Sequence, residues 1–157
     1  MNIFDVTEIY QFAVQIEENG KKFYKAVVEK FDDVKVKELF AFLADEEIRH
    51  EKIFREMLGK IEDYHPQESY PGEYFDYLHA YVDNLVFTLD QLEENISNVN
   101  TIGEALQFAI GKELDTILYY HEMRNVVPDH QKKLVDDIID EERKHVVKLT
   151  EMKRQLV

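Results

Sequence analysis

The sequence predicts an all-α protein in which four long helices form a bundle and a long crossover joins the second helix to the third. Apolar residues recur at helical spacing through four long segments, and no segment alternates as a half-buried strand does. Short links join helices one and two, and helices three and four, whereas roughly forty residues separate the second from the third. An ordinary helical bundle and an α-solenoid are the alternative architectures, although two visible repeats are too few for a solenoid.

The first pair of helices is expected to cover about residues 5–59. Asp5 can cap the first helix together with Glu8, three residues later. Asp33 offers the N-cap of the second helix, and Gly59 is a natural stop. The apolar positions with helical spacing in this pair are Ile9, Phe12, Ala13, Ile16, Phe23, Val27, Phe31, Val36, Leu39, Phe40, Leu43, Ile48, Phe54 and Leu58.

The crossover, residues 60–100, begins as a loop that holds two of the three prolines. A short aromatic helix is expected from about Glu73 to Phe87. A further short helix is expected to start at Thr88, with Gln91 as its capping partner.

The second pair of long helices is expected to cover about residues 101–155. The third helix opens at Thr101, which forms a capping-box pattern with Glu104, and continues to about Val126. Asp129 starts the fourth helix, which reaches the C-terminus. We therefore expect one domain over residues 1–157, made of two helix pairs and the crossover.

Composition excludes several classes of protein and site. The chain carries 33 acidic and 19 basic residues, a net charge of −14, which argues against nucleic-acid binding. Its 45% hydrophobic content is too high for a disordered chain. With no cysteine, disulfides, thiolate zinc sites, iron–sulfur clusters and cysteine nucleophiles are excluded. No apolar run suits a membrane span or a signal peptide, so we expect a cytoplasmic protein.

The candidate metal-ligating residues lie in two segments of similar sequence, one in each half of the chain. Residues 12–24 resemble residues 108–120, and the hexapeptide DEEIRH at 45–50 resembles DEERKH at 140–145. Each helix pair therefore holds a lone glutamate on its first helix and a Glu-x-x-His motif on its second, 30 and 29 residues further on. The six residues are Glu17, Glu47, His50, Glu113, Glu142 and His145.

These residue types in this pattern indicate a site for two metal ions. A Glu and a His three residues apart share one helix face, so a bundle gathers four carboxylates and two imidazoles around one axis. Carboxylates packed in an apolar interior cannot all stay ionised without compensating cations, and two divalent metals would balance four of them. Oxygen-rich sites with one nitrogen per metal suit iron or manganese better than structural zinc.

A repeat without a metal is the alternative interpretation, because Glu-x-x-His alone is weak evidence in a chain with 20 glutamates. A third such motif, Glu62 and His65, has no repeat partner and is interpreted as coincidence. The prediction depends instead on the two lone glutamates, Glu17 and Glu113, which lie at matching distances from the motifs.

Residues near the six are expected to play lesser roles. Tyr24 and Tyr120 follow the lone glutamates by two helical turns and either bond a ligand carboxylate or pack in the core. Asp45 and Asp140 are candidate acceptors for the ligand histidines. The acidic neighbours expected to be solvated or capping are Glu18, Glu46 and Glu141. The residues expected to form a crossover packing surface or subunit interface are Tyr64, Tyr70, Tyr74, Tyr77 and Tyr81. The histidines expected at the surface or with satisfied partners are His79, His121 and His130.

The six-residue set resembles the diiron domain of the rubrerythrin and ferritin-like superfamily over nearly the whole chain, including the long crossover. The resemblance implies a ferritin-like four-helix bundle with two iron ions, although manganese or a mixed pair is possible. It implies that Glu47 and Glu142 bridge the metals. The implied terminal ligands are Glu17, Glu113, His50 and His145.

Two departures from the family separate this chain from typical members. Full-length rubrerythrins append a rubredoxin domain with four cysteines, and this chain has none. Typical rubrerythrins also carry an extra glutamate one turn beyond the third-helix ligand, where this chain has Thr116. That glutamate is associated with iron movement between redox states, so the substitution puts such movement in doubt.

The resemblance implies a diiron oxidoreductase that reduces hydrogen peroxide with electrons from a separate, rubredoxin-like donor protein. A ferroxidase that sequesters iron and uses dioxygen or peroxide is the second enzymatic interpretation. A manganese catalase-like activity and a metal-binding or regulatory bundle without turnover are the others. We expect a homodimer or a larger homo-oligomer, with no nucleic acid and no membrane as partners.

Overall fold

A computed structural model describes residues 6–61 and 72–156, apart from the side chains of residues 73–75. The described residues form six helices and no strand, which confirms the all-α prediction. The helices are α1 (Val6–Lys30), α2 (Val34–Leu58), α3 (Gly72–Leu85), α4 (Leu89–Asn98), α5 (Ile102–Val126) and α6 (Asp129–Leu156). The predicted cap Asp5 lies outside the described residues.

The predicted caps position the helices. The Asp33 side chain accepts a hydrogen bond from the Val36 backbone N–H at 3.0 Å, which caps α2. Thr88 at α4 and Thr101 at α5 both form the reciprocal capping box that the sequence predicted. These bonds satisfy backbone donors that a helix start otherwise leaves free.

Helix α3 ends at Leu85, two residues before the predicted end at Phe87. The Lys112 ammonium on α5 donates a 2.7 Å hydrogen bond to the Leu85 carbonyl, and the Asn19 side chain on α1 accepts one from the Phe87 backbone N–H at 2.7 Å. Both partners are far from this segment in the sequence, so the residues around positions 85–87 could not predict where the helix ends.

The long helices pack in two pairs, α1 along α2 and α5 along α6, as short links require. A buried polar layer separates two apolar clusters within this bundle. One cluster includes Tyr10, Phe54 and Ile138, and the other includes Phe23, Phe40 and Leu149. Because the polar layer lies between them, apolar side chains shield it from water at both ends.

The crossover helices cover part of the bundle. Tyr81 of α3 donates a hydrogen bond to the Asp115 carbonyl and stacks on Tyr119, in agreement with the predicted packing role. Tyr77 is half exposed. The side chains of Tyr64, Tyr70 and Tyr74 lie outside the described residues. Across the described ranges, no helix is both long enough and apolar enough to cross a membrane.

Candidate metal centre

The structure brings all six predicted ligand residues together in the buried polar layer. None of the six is more than 3% exposed. Their ligand atoms form two groups of four, and within each group all atoms lie within 4.8 Å of one another. One group is Glu17, Glu47, His50 and Glu142; the other is Glu47, Glu113, Glu142 and His145.

Glu47 and Glu142 belong to both groups, which is the placement that bridging carboxylates need. His50 Nδ1 lies 2.9 Å from Glu142 Oε1 and 3.7 Å from Glu17 Oε2. His145 Nδ1 lies 2.8 Å from Glu142 Oε2, with Glu113 Oε1 at 3.5 Å. We call the space beside Glu17 and His50 the His50 position, and the space beside Glu113 and His145 the His145 position.

Buried polar atoms without hydrogen-bond partners show that the residues fit two cations. Within the described part of the chain, Glu17 Oε2, Glu47 Oε1, Glu142 Oε1 and His50 Nδ1 are buried and lack a partner in hydrogen-bonding geometry. Such atoms are costly unless something else satisfies them. Two oxygen-rich groups with one nitrogen each match the donor sets that iron and manganese accept.

Electrostatics indicates that protons balance the carboxylates when cations are absent. Burial, reinforced by Glu142, raises the pKa of Glu113 to about 8, and burial also raises the pKa of Glu47 well above its ordinary value. Burial opposes protonation of His50, yet the facing carboxylates raise its pKa to about 11. Metal binding would therefore displace protons from this cluster.

Glu142 behaves differently from the other carboxylates. Burial raises its pKa, but the close contacts with the His145 and His50 imidazoles outweigh burial and lower the pKa below the ordinary value. Burial opposes protonation of His145 as well, but Glu113 and Glu142 raise its pKa to about 10. Glu142 thus stays ionised at the centre of the layer, between both imidazoles.

The two buried tyrosines bond the lone glutamates crosswise between the helix pairs. Tyr24 of α1 donates a short hydrogen bond to Glu113 of α5, and Tyr120 of α5 donates one to Glu17 of α1. Spacing along the chain placed each tyrosine in the interior but did not reveal which glutamate it meets. Each phenol fixes the orientation of a carboxylate that belongs to the other pair.

Glutamates, rather than the expected aspartates, lie behind the histidines. Glu141 Oε2 is 2.6 Å from His50 Nε2, and Glu46 Oε2 is 3.8 Å from His145 Nε2. The prediction of Asp45 and Asp140 as histidine acceptors is wrong, because both are exposed.

A turn of about 100° per residue explains this difference. Glu46 and Glu141 directly precede the ligand glutamates and face across to the opposite helix, whereas the aspartates one residue earlier face solvent. The prediction that Glu46 and Glu141 are simply solvated or capping is therefore wrong. The repeated Glu-Glu pair in both hexapeptides was the signal that could have identified them.

The remaining acidic and histidine predictions concern the surface. Glu18 forms a 2.8 Å ion pair with Arg55, in agreement with a solvated role. His79, His121 and His130 are exposed. The third motif, Glu62 and His65, lies outside the described residues.

A small cavity of ≈ 30 Å³ borders the layer between α1 and α5. Glu47, Glu113 and Thr116 line it, so Thr116 faces the same space as two of the proposed ligands. A cavity of this size can hold a water-sized molecule. Lys112 also lines it and lies 3.8 Å from the centre of the Phe87 ring. Sequence reasoning did not identify the cavity.

Gly20 makes room for a ligand carboxylate at this cavity. A Cβ atom at position 20 would meet Glu47 Oε2 at 2.7 Å, closer than real Cβ contacts allow. A glycine in a helix interior costs about 1 kcal/mol relative to alanine. A glycine in the interior of a helix, three residues after Glu17, could therefore have predicted that another side chain approaches the α1 backbone closely at this point.

Comparisons with known proteins agree with this geometry. The family model described as Rubrerythrin matches residues 8–153. A crystal structure described as a ferritin-like diiron-carboxylate protein from Thermotoga maritima is similar in fold, with a TM-score of 0.73 and 30% sequence identity. The similarity covers 100% of this chain and 99% of that chain. No curated protein matches the chain.

Proposed function

The chain belongs to the rubrerythrin family. We propose that it reduces hydrogen peroxide at a diiron centre with electrons from a separate donor protein. The observation that carries the proposal is the pair of buried ligand groups that share Glu47 and Glu142. A carboxylate shared by two groups can hold two metals close enough to act on one small molecule.

The ligand roles follow from the two groups. Glu47 and Glu142 would bridge, Glu17 with His50 would complete the His50 position, and Glu113 with His145 would complete the other. Four carboxylates balance the charge of two divalent ions, which favours binding in a layer that water does not reach.

When bound at these residues, two ferrous ions would supply one electron each, enough to convert hydrogen peroxide and two protons into two molecules of water. The chain's own residues prepare the site for this reaction. Tyr24 and Tyr120 hold the lone glutamates in fixed orientations, and the cavity beside Glu113 leaves room for a water-sized molecule next to the ligands. The apolar clusters on both sides limit the access of water.

The electron donor is proposed to be a separate rubredoxin-like protein. The sequence contains no cysteine, so it offers no iron–sulfur centre of its own. The net charge of −14 makes the encounter with a donor sensitive to ionic strength, and we expect electron transfer to change with added salt.

Rapid mixing of the iron-loaded, reduced protein with hydrogen peroxide, and separately with dioxygen, tests the proposal. We expect peroxide to oxidise the centre faster than dioxygen does and faster than it oxidises free ferrous iron. Faster oxidation by dioxygen, with continued oxidation of added ferrous iron, would favour a ferroxidase. Oxidation no faster than that of free iron would contradict both enzymatic functions. Glu18→Gln is the control variant, because Glu18 pairs with Arg55 at the surface.

A further inference from the structure

The two metal positions have equivalent inner ligands. Each group contains three carboxylates and one imidazole. In each, the lone glutamate accepts a hydrogen bond from a buried tyrosine of the other helix pair. Ligand type therefore gives no reason for one position to bind metal more tightly, and any such difference has to come from the groups around the ligands.

A charged network lies behind His50. Glu141 Oε2 lies 2.6 Å from His50 Nε2, and Arg49 Nη2 lies 2.6 Å from the same oxygen. Arg49 also donates to Glu46 of its own helix at 2.8 Å, while its bond to Glu141 ties α2 to α6 at this point. One arginine between two glutamates leaves the trio with a net charge of −1, which does not oppose a cation nearby.

The corresponding support is missing behind His145. His145 Nε2 is buried and has no hydrogen-bond partner among the described residues. Glu46 Oε2 is 3.8 Å away, because Arg49 binds this carboxylate instead. The residue that corresponds to Arg49 in the second half is Lys144, which is exposed, while Arg143 turns to Asp140 at 2.7 Å.

We propose that the two metal positions are inequivalent: the His50 position, supported by Glu141 and Arg49, binds metal first, and the His145 position fills last and empties first. The inference rests on the proposed diiron centre. A carboxylate that accepts from Nε2–H fixes the imidazole tautomer and strengthens Nδ1 as a donor, an effect worth roughly 10–100-fold in metal affinity. When His145 binds through Nδ1, its Nε2–H stays buried without an acceptor, which weakens binding.

The cavity opens on the same weaker position. Glu113, a ligand of the His145 position alone, lines it together with the shared Glu47, whereas Glu17 and the two histidines are not among its lining residues. A small molecule or an exchanging ion that enters there meets the His145 position. Metal exchange and substrate access therefore both occur at the His145 position, while the metal at the His50 position stays bound.

Cobalt(II) added to the metal-free protein tests the order of filling. At one equivalent, anomalous scattering at the cobalt edge should show roughly 3–10-fold higher occupancy at the His50 position, since the occupancy ratio is the square root of the affinity ratio. A titration followed by the visible absorption of cobalt should resolve two affinities that differ roughly 10–100-fold. Equal occupancy, or filling of the His145 position first, would overturn the inference and leave the metal centre intact. A protein that binds no cobalt would overturn the centre and the inference together.

Two variants separate positioning from a general loss of structure. Glu141→Gln keeps the side-chain shape but removes its charge, so the first affinity should fall until the two steps nearly merge. Asp140→Asn, one residue from Glu141 but exposed, should leave both affinities unchanged. If Glu141→Gln keeps the two steps as far apart as Asp140→Asn does, Glu141 does not position His50.

Discussion

The two helix pairs have the same residues inside the buried polar layer but different residues around it. Glu17 and Glu113 have equivalent partners, and both histidines point Nδ1 inward. Around them, Gly20 in the first pair corresponds to Thr116 in the second, and Arg49 corresponds to Lys144. The six proposed ligands are therefore equivalent between the two helix pairs, whereas the residues around them differ and determine how each ligand is held.

Removing a shared carboxylate should have the largest effect, because it affects both helix pairs at once. Glu142→Ala is expected to reduce bound metal from two equivalents to nearly none, and His50→Ala to lower mainly one position. Metal analysis of the purified variants measures this directly. Two full equivalents in Glu142→Ala would contradict the bridging role, and Glu62→Ala should leave occupancy unchanged.

The glycines of the two pairs offer a matched comparison. In Gly20→Ala the new Cβ would meet the Glu47 carboxylate at 2.7 Å, whereas at Gly111 nothing lies within 4 Å. Without metal the Glu47 side chain can move aside, so we expect Gly20→Ala to fold normally. With metal that movement is blocked, and affinity should fall by roughly 10–100-fold, the range seen when ligand support is lost.

Gly111→Ala is the control for that change. It should keep full metal affinity and gain up to about 1 kcal/mol in unfolding free energy from better helix propensity. Calorimetric metal titration and urea denaturation of both variants provide the measurements. Equal metal affinity in the two alanine variants would show that Glu47 does not need the space at Gly20.

Stability of the metal-free protein should fall as the pH rises from about 5 to about 8. The pKa of Glu113 is about 8 in the folded protein against an ordinary value of 4.5, so over this range the folded state binds its proton more tightly than the unfolded state does. The resulting loss is roughly 3–4 kcal/mol. His50 and His145, with raised pKa values, add a loss of the same sign above their ordinary value of 6.5.

Urea denaturation in the presence of a chelator measures this slope. Glu113→Gln should flatten it, because the amide does not titrate but can still accept the hydrogen bond from Tyr24. A slope that is as steep in Glu113→Gln as in the parent protein would assign the effect to other groups.

Removing one tyrosine hydroxyl should have the smallest effect and should act across the two pairs. Tyr24→Phe frees Glu113 and should weaken the His145 position about tenfold, whereas Tyr120→Phe frees Glu17 and should weaken the His50 position. Tyr119→Phe is the control, since its hydroxyl bonds the Ile9 carbonyl instead. Weakening on the tyrosine's own side would contradict the crosswise arrangement.

The fold was largely predictable because its signals are local. Apolar spacing, Asp33 and the capping boxes at Thr88 and Thr101 lie within a few residues of the helix starts that they determine. The end of α3 was not predictable, because Lys112 sets it from 27 residues away.

The inner residues of the site were predictable for a related reason. The two halves of the sequence repeat at a nearly constant offset, which predicted that the six proposed ligands share one layer. All six lie together in the buried polar layer. Contacts between the pairs were not encoded in that spacing. The Tyr24–Glu113 bond, the Glu141–His50 bond and the cavity beside Gly20 depend on how two helix pairs face each other, which periodicity does not specify.

The crosswise tyrosine bonds have a consequence for the assembly of the molecule. Neither helix pair contains both the phenol and the lone glutamate of one bond, so each bond closes only when the two pairs dock. The shared carboxylates come from α2 and α6, one from each pair. Metal ions bound by these carboxylates would therefore link the two helix pairs. Separation of the pairs, or exchange of one pair between two copies of the chain, would disrupt both ligand groups at the same time.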